Sequence, residues 1–309
     1  RVSYQAANDQ GHHLAARSFE GHIQQPWRIG SFSALTKGHD AELPDYDAQT
    51  SPEITTVQPI VRTALDRFSF PRGAQAGTCL HALFEYWDFT NDDSEAMQKL
   101  VSRTLLQYGF DDKWTPVACQ WLTEVLATPL GENDLSLGQL TQAKRLDELA
   151  FYFPVAGLSV SRLQRDLLPL LADNSPLKTV IKRLSFYDLT GFMKGFIDLV
   201  FEHEGRFYIV DYKSNHLGHN QADYQTEQLN NAMISHDYPL QYLIYTLALH
   251  RYLKIRLPDY DPEQHLGGAY YLFIRGMKAE WGQAGIFYDK PDSVVLDALD
   301  RCLQGVSDE

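Results

Sequence analysis

Two β-rich runs, Phe196 to Phe201 (FIDLVF) and Arg206 to Tyr212 (RFYIVDY), flank His203-Glu204-Gly205, and this spacing reads as a hairpin. If Glu204-Gly205 is a two-residue turn, His203 pairs with Arg206, and counting back sets Asp198 opposite Asp211. Directly opposed residues have Cβ atoms about 4.5–5.5 Å apart, and like charges there are destabilising. Both aspartates lie in apolar runs, Phe196, Ile197, Leu199 and Val200 on one strand and Ile209 and Val210 on the other. Two carboxylates pressed together beside a core need a cation or a shared proton. A hard divalent ion such as Mg²⁺ suits such oxygen ligands. Lys213 follows Asp211 by two residues, so strand alternation points both to one face. Two acids with an adjacent ammonium suit phosphodiester hydrolysis, in which a metal activates water and a lysine orients it or stabilises charge. The plain alternative is an exposed salt-bridge cluster of Asp198, Asp211 and Lys213 on a solvated hairpin face.

The rest of the chain places this hairpin in an α/β domain. Glu148 to Val155 (ELAFYFPV) and Ala269 to Arg275 (AYYLFIR) read as strands. Helical spacing of apolar residues begins near Gly77 and recurs at 94–107, 116–128, 160–173, 221–235 and 240–254. Helices interleaved with strands predict a mixed sheet flanked by helices. The stretch 36–58 is polar and acidic with two prolines, and reads as a linker or extended arm. Before it, Trp27 to Leu35 (WRIGSFSAL) reads as the close of another packed unit.

Composition narrows the class. With 44% apolar and 22% charged residues, 309 residues can form one large domain or two modest ones. Cys79, Cys119 and Cys302 are odd in number and far apart, which suggests reduced thiols and supplies no four-cysteine set for an iron–sulfur cluster. No apolar run in the first 30 residues resembles a signal peptide, and none in the chain is long enough to span a bilayer, so the expected setting is the cytoplasm, without a membrane. The chain begins at Arg1 with no methionine, as a piece of a longer polypeptide would. A net charge of −13 argues against a nucleic-acid partner when taken alone. There is no GxxxxGK[ST] phosphate loop, and so no ATP site for a motor in this chain.

Gly195-Phe-Ile-Asp198 followed by Ile209-Val-Asp211-Tyr-Lys213-Ser-Asn resembles the signature of the PD-(D/E)xK nuclease superfamily, in the form carried by RecB-type helicase–nucleases. The resemblance extends over Lys194 to Gly218, and LQYLIYTLALHRYL (Leu240 to Leu253) is similar to the family's QxxxY element, with Gln241 and Tyr245. GTCLHALFE (Gly77 to Glu85) and GGAYYLFIRG (Gly267 to Gly276) resemble further family segments, and WRIGSFSAL the segment that ends the helicase part. The resemblance implies a restriction-endonuclease-like fold at 59–309, preceded at 1–58 by the end of a helicase region and its acidic tether.

It also implies roles. Asp198 and Asp211 would bind the metal, Mg²⁺ for catalysis with Ca²⁺ as a non-catalytic or inhibitory occupant, and Lys213 would be the catalytic lysine. His81 and the backbone carbonyl of Tyr212 would complete the metal shell. Glu148 falls where the family has a catalytic glutamate, although Ala150 replaces the second acid of the usual E-x-E-F form. Gln241 and Tyr245 would contact the DNA backbone or the hydrolytic site; their bland reading is polar residues edging an apolar helix. Glu85, one turn beyond His81, could hydrogen-bond it. His216 and His219 read as solvated or phosphate-contacting, and His12-His13 as surface.

The implied activity is that of a Mg-dependent exodeoxyribonuclease in double-strand break repair, acting on single DNA strands. The implied partners are DNA, RecC-like and RecD-like subunits, and a RecA-like recombinase. Delivery of the strand by the assembled enzyme, with a bound metal supplying local positive charge, would answer the acidic net charge. Two other readings stand beside it: a docking module for RecC-like and RecA-like partners, and a nuclease of the superfamily's iron–sulfur branch. The cysteine positions argue against the last.

Overall fold

The structure, a computed structural model, describes residues 27–37, 65–131 and 135–304. In chain order the elements are β1 (Arg28–Gly30), α1 (Phe32–Lys37), α2 (Ala74–Tyr86), α3 (Ser94–Gln107), α4 (Thr115–Ala127), β2 (Arg145–Leu158), α5 (Val160–Leu167) and α6 (Pro176–Arg183). There follow β3 (Leu189–His203), β4 (Arg206–Lys213), α7 (Thr226–Ser235), α8 (Tyr238–Arg256), α9 (Pro262–His265), β5 (Leu266–Phe273), β6 (Ile286–Asp289) and α10 (Ser293–Gln304). Apart from Thr36 and Lys37, which close α1, the acidic stretch 36–58 lies outside the described residues, as do His12 and His13.

The six strands form one mixed sheet with helices on both faces. Strand β3 is its longest member. Its whole length from Leu189 to Phe201 pairs antiparallel with β2, which fills one edge. Its other edge is shared: β1 runs parallel to Gly191–Met193, and β4 runs antiparallel to Leu199–His203. Residues 194–198 are left between them as a fork. Beyond the fork β4 pairs in parallel with β5, and β6 closes the sheet.

Each face has its own apolar core. One packs Ile197, Val200 and Ile209 against α5, α6, α8 and α10; the other packs Leu199, Phe201 and Val210 against α2, α3 and α4. Helix α8 is buried along nearly its whole length, which accounts for a sequence that is apolar on every side. The segment 27–37, which reads in sequence as the close of another unit, joins this sheet through β1, and Phe32 and Leu35 enter the α8-side core. The helical runs at 160–173 and 221–235 are each divided: α5 continues as a short 3₁₀ turn, and α7 is preceded by one at Gln221–Tyr224.

The hairpin register is the expected one, with His203 opposite Arg206 and Leu199 opposite Val210. Glu204 and Gly205 have φ of 50° and 76°, the type I′ arrangement whose twist matches that of the strands. The Phe201 and Tyr208 rings stack across the strands at 4.9 Å. A glutamate pays for the left-handed conformation at Glu204, where Asn is better tolerated. Glu204→Asn is expected to raise stability by about 0.5–1 kcal/mol, read as a higher urea midpoint at unchanged slope; an equal or lower midpoint contradicts the turn assignment.

Candidate active site

The fork is where chemistry collects. After Leu199 and Val210 the β3–β4 ladder stops, so the next residues, Asp198 and Asp211, face each other without backbone pairing. Asp198 fills the gap with its side chain: its Oδ2 accepts the Tyr212 N–H at 2.8 Å. The same oxygen lies 3.3 Å from Nδ1 of His81, carried on α2. Helix α2 is held there by apolar packing, Phe84 stacking on the Tyr212 ring at 4.3 Å.

Lys213 is almost entirely buried, at 2% exposure. Its ammonium is 2.8 Å from Asp211 Oδ2 and 3.3 Å from Gln241 Oε1, and it lies 3.9 Å from the Tyr238 ring centre. Gln241 is fixed in turn: its Oε1 accepts from the Tyr271 hydroxyl at 2.9 Å and its Nε2 donates to the Tyr245 hydroxyl at 3.1 Å. A buried ammonium is tolerated only when paired and hydrogen-bonded, and this one has a carboxylate, an amide oxygen and an aromatic face.

The two aspartates are driven apart electrostatically. Burial pushes the Asp211 carboxyl up to about 7, against the pull of Lys213 and with the Asp198 charge adding to the rise. Burial acts on Asp198 as well, but the charge and hydrogen bond of His81, Lys213 and the Tyr212 N–H outweigh it and hold its carboxyl below the usual range. One acid that holds a proton near neutrality beside one that does not is the pattern expected where protons or cations are exchanged. The exposed salt-bridge alternative fails, since Asp211 and Lys213 are 3% and 2% exposed.

The other expected residues fall around this centre. Glu148 stands in β2 opposite Asp198, between the pairs Asp147–Leu199 and Leu149–Ile197, with a left-handed φ of 51°. The strands change face at this point: Ile197 belongs to the α8-side core and Leu199 to the α2-side core, although strict alternation would put them together. Glu148 therefore occupies the hinge of that change. Gln241 and Tyr245 are buried, and Gln241 has both ends of its amide engaged with Lys213, Tyr271 and Tyr245. The Gln241 amide is thus turned inward, to Lys213 and the two tyrosines, and not to solvent. His81 meets Asp198, and Glu85 is exposed, its carboxyl raised by partial burial and by Asp147 and Asp198 against the pull of His81.

Among the described residues no three His, Cys, Asp or Glu side chains converge as a ready metal cluster. Asp211 is instead paired with Lys213. The donor types nevertheless fit a hard divalent ion: an imidazole nitrogen touching a carboxylate, and a second carboxylate beside it whose proton is held only to about pH 7. Cys79, Cys119 and Cys302 are free thiols on α2, α4 and α10, and burial pushes Cys79 and Cys302 up to about 12.

Sequence reading passes over Arg275, Tyr271 and Tyr238. Tyr271 is paired in register with Asp211, so alternation from Asp211 was the available signal. Arg275 has no local signal. It is 1% exposed and stacks over Trp121 at 5.3 Å. Its guanidinium donates to the carbonyls of Ser214 at 2.9 Å, Phe70 at 3.2 Å and Pro71 at 2.8 Å, and also to that of Arg67. It thereby ties the segment leading into α2 to the segment leaving Lys213. Arg275→Met would strand these acceptors, and a loss of about 3–5 kcal/mol of unfolding free energy is expected in urea titrations; a loss under about 1 kcal/mol would contradict the tie.

Comparison with known proteins gives a concordant result. Residues 57–305 match the family model described as the PD-(D/E)XK nuclease superfamily. The chain is 40% identical over 287 residues to RecBCD enzyme subunit RecB of Escherichia coli (strain K12), covering 91% of this chain and 23% of that protein. It is 37% identical over 317 residues to RecBCD enzyme subunit RecB of Haemophilus influenzae, covering 95% and 25%. Against the protein of that name from Mycolicibacterium smegmatis the identity is 33% over 332 residues, covering 94% and 30%. The chain thus spans between a fifth and a third of the length of these relatives.

Proposed function

The chain belongs to the PD-(D/E)XK nuclease superfamily, and from that membership we propose that it is the DNA-hydrolysing part of a RecBCD-type helicase–nuclease. In this reading it is a metal-dependent exodeoxyribonuclease that cuts single DNA strands during double-strand break repair and recombination. The observation that carries it is the buried Lys213 ammonium, 2.8 Å from Asp211, at the fork that also brings Asp198 to His81.

His81, Asp198, Asp211 and the Tyr212 carbonyl would hold a divalent cation, Mg²⁺ in the working enzyme, which when bound supplies charge neutralisation and a water of lowered pKa. Asp211 must shed its proton to serve as a ligand, and Lys213 must release it. The freed ammonium is then placed to orient the attacking water and to stabilise charge gathering on the phosphate. Gln241 and Tyr271 keep that ammonium in the fork, so the lysine is positioned before substrate arrives. Glu148, at the hinge opposite Asp198, is the further acid able to act on the water. In the assembled enzyme, RecC-like and RecD-like subunits and a helicase would deliver the strand to this acidic chain, with a RecA-like recombinase as a later partner.

The direct test is cleavage of single-stranded DNA in Mg²⁺ by this chain, with EDTA and Lys213→Ala as controls. Cleavage that EDTA stops and that Lys213→Ala lowers by about 10³-fold or more is expected. Asp211→Asn, whose amide oxygen can still accept from the buried Lys213 ammonium, is expected to be equally inactive while keeping its fold. Wild-type rates in either variant would remove the fork from the chemistry.

A pH dependence follows from the raised Asp211 carboxyl. Below about 7 the proton and the cation compete for the same oxygens, whereas above it the site is free of the proton. Apparent Mg²⁺ affinity, read by calorimetry, is expected to fall about tenfold per pH unit as pH drops from 7 to 5. An affinity flat across that range would show that Asp211 is not a ligand.

A further inference from the structure

A second cluster lies beside the fork and is not used by the chemistry above. Arg72 stands two residues before α2, and its Nη2 is 2.9 Å from Nε2 of His216, three residues after Lys213. The His219 ring sits edge-on to that of His216, with centroids 4.6 Å apart. Arg275 fixes this meeting from beneath, since it holds the Pro71 and Ser214 carbonyls on the two segments concerned.

Because the Arg72 N–H donates, His216 must accept and is therefore neutral. Burial, then the charges of Arg72 and Arg275, push its pKa down to about 4. Arg72 is exposed, its partner is an uncharged ring, and among the described residues it forms no ion pair. Asp223, the acid that follows this loop, is turned to the Asn220 N–H at 3.0 Å. The first turn of α2 carries no acid, so the helix's amino end adds its partial positive charge behind Arg72. On a chain of net charge −13, this is a fixed cationic corner beside the catalytic lysine. Three residues of extended chain reach at most about 10 Å, within one or two nucleotides of the fork.

We infer that Arg72 and His219, with His216 positioning the guanidinium, form a seat for a non-scissile phosphate of the DNA strand being cut. The inference rests on the nuclease reading. A guanidinium held at one N–H by a neutral acceptor keeps its other N–H donors for phosphate oxygens. Its effect is to set how far the strand is drawn past Lys213.

The test uses this chain and a fluorescein-labelled dodecamer of thymidylate, with binding followed by anisotropy in Ca²⁺ across a salt series and cleavage in Mg²⁺. For Arg72→Ala, affinity about tenfold weaker is expected, with a log–log salt slope smaller by about 0.7, the loss of one phosphate contact on a single strand. KM is expected to rise about tenfold with kcat within about twofold, since uniform binding is what is removed. Arg72→Lys should restore the slope, and His219→Ala, a second and milder change, should weaken binding about threefold. An unchanged slope in Arg72→Ala, a fall in kcat at constant KM, or a wild type that does not bind the oligonucleotide would each overturn the seat. A wild type that binds with the expected slope change yet never cleaves would instead sink the nuclease reading and leave the seat standing.

Discussion

A lysine ammonium inside a protein core is the constraint on which the rest of this structure depends. Lys213 cannot be buried at the end of a central strand unless anionic and dipolar partners are already there. Asp211 supplies the charge, Gln241 the amide oxygen and Tyr238 the aromatic face. Those partners come from β4 and α8, which explains why a helix so apolar keeps a glutamine at its buried start. Tyr245 and Tyr271 exist in this pocket to satisfy Gln241.

The second dependency is topological. A sheet in which β2 covers the whole of one edge of β3, while β1 and β4 divide the other, necessarily opens between those two. The opening exposes strand backbone that needs partners, and the Asp198 carboxylate supplies one to the Tyr212 N–H. The same geometry that would be a defect in a continuous sheet becomes a place where acids, an imidazole and an ammonium meet. Backbone strain gathers there too, with Glu148 left-handed in mid-strand.

Much of this was legible in the residues. The hairpin register followed from Glu204-Gly205 alone, from His203 opposite Arg206 as far as Leu199 opposite Val210. Helix α8 and strands β3 to β5 announced themselves by apolar runs. What escaped was whatever depends on partners far apart in the chain. The burial of Gln241 could not be read from a helix apolar on all sides, because such a helix has no face that declares itself the surface. The face change at Glu148 runs against alternation, and alternation was the only guide available. Strand β1 was hidden by its length of three residues and by its distance from β3, its sole partner among the described strands.

The guanidinium of Arg275 also has a consequence in time. Two of the acceptors it gathers, at Arg67 and Phe70, lie 208 and 205 positions earlier, and a third, at Ser214, lies 61 positions earlier. Loop closures of that span are slow to form and come after local helices and the hairpin. During synthesis, neither α2 with its histidine nor the hairpin with its acids can be locked into place until residue 275 has left the ribosome. The growing polypeptide therefore carries the imidazole, the acids and the ammonium of the fork unassembled until Arg275 is made.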